Sequence, residues 1–174
     1  MLFRSRRVLA DPDAVAVADA MSGVLTHRRL LVAARLMARR FAAYPEPHVG
    51  VMLPASAAAD IVFFALHLAG KVPVMMNWTT GPANLAHGIT VTGTRRVITS
   101  RKLVDRLGIT VDAAEYVFLE DIKRGIGTFE AARTLAATSL MPRRVLRGVP
   151  ARDPHDPAVY LFTSGSESAP KTVP

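Results

Sequence analysis

Residues 49–76 read VGVMLPASAAADIVFFALHLAGKVPVMM, and this stretch decides the architecture. Val49 to Leu53 is an apolar run of strand length, closed by Pro54. Ser56 carries the short hydroxyl that caps exposed N–H groups at a helix start, so a helix is predicted from there to Leu68. Gly70 supplies its stop. Val72-Pro-Val-Met-Met76 is the next strand, and Pro73 places it at a strand start or a sheet edge because proline has no N–H to donate. Two strands joined through a helix cannot form a tight hairpin. They call for a parallel crossover.

Working outward, Ala14–Ala18 and Val24–Leu25 are short apolar runs around a turn at Met21-Ser-Gly23, which predicts a small hairpin. Thr26 can cap a helix from His27 to about Ala43. Its Leu30, Leu31, Ala34, Met37, Ala38 and Phe41 share one stripe, with arginines opposite. On the other side, Pro82 opens a helix, Arg96–Thr99 is a strand, and Ser100 caps a helix to Leu107 that Gly108 stops. Tyr116–Leu119 is a further strand and Thr128–Ser139 a helix. Met141–Pro157 reads as irregular, and Ala158–Phe162 as a last strand. The alternation predicts an α/β fold with a mainly parallel sheet flanked by helices.

That last strand runs into Thr163-Ser-Gly-Ser-Glu-Ser-Ala-Pro-Lys171. Small side chains around Gly165 let backbone N–H groups approach an anion, and the hydroxyls of Thr163, Ser164, Ser166 and Ser168 add donors. Pro170 stiffens the exit and Lys171 adds a positive charge. Each hydrogen bond to a charged group contributes about 1.5–3 kcal/mol, so a few suffice to hold a triphosphate. The loop is not a Walker sequence, since the Gly-x4-Gly-Lys-Ser/Thr spacing is missing. Gly125-Ile-Gly127 lacks the third glycine of a dinucleotide fingerprint, and Ser164 lacks the Gly-x-Ser-x-Gly frame of a nucleophile elbow.

Composition narrows the field. There are no cysteines, which removes disulfides, thiolate metal sites and cysteine nucleophiles. Lys and Arg number 22 against 14 Asp and Glu, a net charge of +8 that suits anionic partners. The basic residues come in pairs, among them Arg39-Arg40, Arg95-Arg96 and Arg143-Arg144, and are expected on solvated faces. Aromatics are 6% and not interleaved with the arginines, so no stacking platform for nucleic acid is visible. The five histidines show no metal-ligand spacing, and the prolines of Asp153-Pro-His-Asp-Pro157 indicate a turn. No segment reaches the roughly 18–20 uninterrupted apolar residues of a membrane span, and no signal peptide is visible, so the expected location is cytoplasmic.

The Thr163–Lys171 loop resembles the signature loop of the adenylate-forming superfamily, and its Ser166-Glu167 variant is similar to the fatty acyl-CoA and acyl-carrier-protein synthetase branches. Leu25-Thr-His-Arg-Arg-Leu30 and Leu68-Ala-Gly-Lys-Val-Pro-Val-Met-Met-Asn77 resemble two earlier motifs of the superfamily, in the proper order. Gly70 to Leu85 looks like the 2-acylglycerophosphoethanolamine acyltransferase and acyl-carrier-protein synthetase subgroup. His27 and Arg29 depart from the usual tyrosine and glutamate of the first motif, and Thr172 from a frequent glycine.

The resemblance implies that residues 1–174 are a partial N-terminal AMP-binding domain, with an α/β subdomain at 1–150 and a linker, strand and phosphate loop at 151–174. It implies ATP and Mg2+, a fatty acid or related carboxylate, and coenzyme A or an acyl carrier protein as thiol acceptor, with peripheral membrane contact in the same picture. Thr163, Ser164, Gly165, Ser166, Glu167 and Ser168 would shape the loop, and Lys171 would meet the phosphates. No residue is assigned as catalytic or metal-ligating. The sheet should be incomplete, the stretch from Thr163 onward should dangle or pack non-natively, and the chain alone should be inactive. The alternative is a non-catalytic α/β binding or scaffold remnant.

Overall fold

A computed structural model describes residues 7–20, 23–109, 111–147, 150, 153, 155–163 and 172–174. Strands β1 (Val15–Asp19) and β2 (Gly23–Thr26) pair antiparallel. Helix α1 (His27–Phe41) follows, then β3 (His48–Val51), α2 (Ala57–Leu68) and β4 (Val72–Met75). A 3-10 turn at Trp78–Thr80 leads to α3 (Pro82–Thr92), β5 (Arg96–Thr99), α4 (Arg101–Leu107) and β6 (Glu115–Phe118). Next come α5 (Leu119–Arg124), α6 (Thr128–Leu140), α7 (Pro142–Arg147) and two short strands, β7 (Leu161–Phe162) and β8 (Thr172–Val173).

The four strands β4-β3-β5-β6 form a parallel sheet in that order. The α/β architecture is therefore the one the crossover stretch calls for. Its core divides by the two-residue period of the strands. Val49, Val51 and Ile98 face one side with Leu31, Met37, Phe41, Val62 and Leu66 from α1 and α2. Val74, Val97 and Met52 face the other, with Leu85 and Ile89 of α3. Gly50 lies where β3 and β5 close together: a Cβ there would stand 2.9 Å from Val97 Cγ2. Only a residue without a side chain fits that spacing.

The helix starts fall where the hydroxyls predict them. Thr26, Ser56 and Ser100 each accept from a backbone N–H of the first turn. Gly108 ends α4 at φ +60°, a left-handed conformation that favours glycine. Three elements differ from expectation. Pro142 begins a helix rather than breaking one, because a first-turn residue has no intrahelical use for its N–H. Leu119 to Arg124 is helical, with Glu120 and Asp121 at its start and Lys123 and Arg124 at its end, the order that complements the helix dipole. The last strand starts pairing at Tyr160, not Ala158.

Several arginines read as solvated are engaged. Arg96 reaches Glu46 at 2.7 Å and Glu115 at 3.0 Å and stacks over Tyr44 at 4.8 Å, stitching the N-terminal ends of the central strands. Arg40 holds Glu130 at 2.5 Å with Arg39 at 3.2 Å, which fastens α6 to α1. Among the described residues no helix is long and apolar enough to cross a membrane.

Candidate functional site

The loop strand is hung on the outer edge of β4. Tyr160 N donates to Pro73 O at 3.0 Å, and Met75 N donates to Tyr160 O at 3.0 Å. Val72 N and Met76 N point the other way, to Pro47 O and Val51 O. By alternation the nitrogen of Pro73 faces the outer edge, where the next rung would need a donor towards Ala158. Proline has none. This explains why the ladder begins at Tyr160, and the edge position expected of Pro73 acquires a purpose: it trims the incoming strand to one bridge.

Two side-chain contacts register that bridge. The Tyr160 ring meets His48 edge-on at 5.1 Å, and His48 Nδ1 lies 2.7 Å from Thr92 O. A carbonyl can only accept, so Nδ1 carries the proton and the imidazole is held against α3. The tip of the Phe162 ring packs against Gly88 of α3. A Cβ on Gly88 would come within 2.9 Å of Phe162 Cζ, so α3 offers the ring bare backbone.

Beyond Phe162 the chain returns on itself. Leu161 pairs with Val173 and Phe162 with Thr172. Thr172 and Val173 are thus paired, in a stretch expected to dangle or pack non-natively. Because Tyr160 pairs parallel to Val74, β7 runs towards the side of the sheet where the carboxyl ends of β3 to β6 emerge. In open parallel sheets that side is where ligands bind.

Thr163 is exposed at the mouth of the hairpin. Ser164, Gly165, Ser166, Glu167, Ser168 and Lys171 lie outside the described residues. By composition the segment offers hydroxyl donors, backbone N–H groups and one ammonium, a set that fits phosphate oxygens. No group of three or more His, Asp or Glu converges among the described residues. His155 N donates to Asp153 Oδ1 at 2.8 Å, the local turn that its flanking prolines predict.

Sequence reasoning did not find His48, Thr92 or Gly88 as supports of the loop strand. Gly88 did leave a signal. A glycine inside a helix weakens it by about 0.5–1 kcal/mol relative to alanine, so its presence in α3 points to something packed closely against it.

Solved structures share this fold. VinN in complex with 3-methylaspartate superimposes with a TM-score of 0.75 at 22% identity, covering 98% of this chain and 45% of that one. The N-terminal subdomain of Klebsiella oxytoca NpsA gives 0.69 at 19% identity, covering 98% and 40%. Bacillus subtilis o-succinylbenzoate CoA synthetase (MenE), bound to its acyl-adenylate intermediate, gives 0.71 at 16%, covering 98% and 41%. The chain therefore spans less than half the length of these neighbours. The family model for the AMP-binding enzyme matches residues 5–174, essentially the whole sequence. With its parallel sheet and edge-hung hairpin, the chain belongs to the AMP-binding enzyme family.

Proposed function

We propose that this chain supplies the phosphate-gripping part of an ATP-dependent ligase that activates a carboxylic acid as its acyl-adenylate. The observation that carries the reading is the hairpin of β7 and β8, hung on β4 through Tyr160, with β7 running towards the carboxyl side of the sheet. In this reading a carboxylate oxygen of the acid bonds to the α-phosphorus of ATP. The bond to the bridging oxygen breaks, and pyrophosphate leaves with the electron pair.

The chain's own residues act on the leaving side. Thr163, Ser164, Ser166 and Ser168 would donate hydrogen bonds to the β- and γ-phosphates, and Gly165 would let backbone N–H groups approach. Glu167 would shape the turn. Lys171 would offset the charge that grows on the departing pyrophosphate. Donors fixed before the reaction act where charge develops, which is where electrostatic catalysis is strongest. Mg2+ would accompany the phosphates, and no residue of this chain is assigned as its ligand. The division at residues 150 and 151, between sheet and loop strand, belongs to the same reading.

The finer substrate assignment rests on Gly70–Leu85, which is similar to the acyl-carrier-protein synthetase subgroup. It favours a fatty or related acid, with a second step to a thiol of coenzyme A or a carrier protein. The solved neighbours carry 3-methylaspartate and an o-succinylbenzoyl adenylate in their complexes, so amino and aromatic acids belong in any test.

The test is ATP–pyrophosphate exchange by the whole polypeptide that contains this chain, with fatty, aromatic and amino acids offered in parallel. Lys171→Ala is expected to lower exchange about 10²–10³-fold, the scale on which one oxyanion donor acts. Undiminished exchange after removal of Lys171 and the hydroxyls of Ser164 and Ser166 would end the proposal.

A further inference from the structure

We propose that the outward face of α6, with the turn into α7, is a contact surface for anionic lipid bilayers. Phe129 is 81% exposed and Leu140 79% exposed, further out than the other large apolar residues described. Eleven residues at 100° each bring Leu140 back to within about 20° of Phe129, so both stand on one stripe. Ala132, Arg133 and Ala136 lie between them and are also exposed. At its C-terminal end the stripe meets a shallow open depression lined by Leu9, Leu140, Met141, Pro142, Arg143 and Arg144. Water meets most of this apolar surface, an arrangement that monomeric proteins keep where something binds.

The charges on this face have one sign. Between Thr128 and Arg144 the sequence has Arg133, Arg143 and Arg144 against the single acid Glu130. Glu130 stands about 100° round the helix from Phe129, on the flank where Arg39 and Arg40 hold it. Among the described residues no carboxylate lies within ion-pair distance of Arg133, Arg143 or Arg144, so their charge stays available to an anionic partner.

Shape and charge together select the occupant. The face is the convex side of one helix with long apolar side chains standing out from it, not a groove for a partner helix. Large apolar side chains flanked by arginines suit a bilayer interface, where the ring and the leucine enter the acyl boundary and the guanidinium groups remain at the phosphates. No residue of this surface belongs to the Thr163–Lys171 segment, and its test does not depend on adenylation.

The experiment is vesicle flotation of the whole polypeptide, with phosphatidylcholine alone and with phosphatidylserine added. Binding is expected to the anionic vesicles only and to weaken with salt. Each arginine near an anionic surface contributes about fivefold to partitioning, so reversing Arg133, Arg143 and Arg144 to Glu should lower it a hundredfold or more. Phe129→Ala with Leu140→Ala should lower it about tenfold, since both lose exposed apolar area that would enter the membrane. Both side chains are solvent-exposed, so the thermal midpoint should hold and serves as the control for folding. Equal binding to neutral vesicles, no binding, or binding untouched by these substitutions would overturn the proposal. So would capture of a soluble acidic protein through the same residues while vesicles stay unbound.

Discussion

The central sheet and the hairpin of β7 and β8 are held by different means. The sheet has four strands, two apolar faces and the Glu46–Arg96–Glu115 bridge across its strand ends. The hairpin has two residues in each strand, one bridge to Val74 and one ring on a glycine. A sheet buried on both faces draws its stability from many contacts at once, whereas the loop's position depends on a few. Stability and ligand geometry should therefore be separable by mutation, and each prediction below is a way to break that separation or to tighten it.

The largest effect belongs to the sheet. Glu46 has a side chain only 5% exposed, and Arg96 meets both of its oxygens at 2.7 and 2.9 Å. The bonds from Glu46 also hold the Arg96 guanidinium above its ordinary pKa. Arg96→Ala would leave a buried carboxylate without its counter-charge, at a cost of about 3–5 kcal/mol. Urea unfolding of the chain should show that loss. The double variant Arg96→Met, Glu46→Leu should recover most of it, because no charge is then stranded. An Arg96→Ala protein as stable as the parent would mean that the strand ends are held by something other than this bridge.

Gly88 tests the hairpin, and here two effects should run in opposite directions. In the helix, Gly88→Ala removes backbone freedom from the unfolded chain and adds about 0.5–1 kcal/mol to stability. At the loop, the new methyl displaces Phe162, whose ring atom would stand 2.9 Å away. Thermal unfolding of the variant should be unchanged or slightly raised, while nucleotide-dependent exchange by the whole polypeptide falls. About tenfold is the expected scale, since misplacement near an angstrom can cost up to a hundredfold. If exchange is retained in full, Phe162 does not set the loop and the comparison loses its second half.

What the sequence made legible follows the same division. The apolar strand runs, the caps at Thr26, Ser56 and Ser100 and the glycine stop at Gly108 act within a few residues of themselves, so they can be read one window at a time. The loop's composition is legible for the same reason, but not that Thr163 would stand exposed at the end of a paired strand. The supports of the loop are not local. Tyr160 meets residues 73–75, His48 lies on another strand, and Gly88 is on a helix far back in the chain. Each is ordinary until the sheet order brings them together. Arginine pairs misled for a related reason: Arg39 and Arg40 look solvated in their own window, and their partner is Glu130, ninety residues on.

That pair gives the smallest effect and the finest test of how α6 is attached. Hydrogen bonds from Arg40, then from Arg39, together with their charges, hold the Glu130 carboxyl at about 2, below its ordinary 4.5, although partial burial works the other way. The folded chain therefore binds this proton more weakly than the unfolded chain does. The stabilisation it brings is complete above the ordinary value and fades as pH falls from about 4.5 towards 2. Urea midpoints measured from neutral pH down into that window should decline for the parent and decline less steeply for Glu130→Gln, which has no carboxyl to titrate. The two should differ most near neutral pH and converge in acid. Because the pair is only partly buried and salt can screen it, added salt should shrink the difference. Parallel curves at every pH would mean that α6 is seated by its buried face alone, with Thr134 and Thr138 turned inward, and that the arginine clasp is incidental.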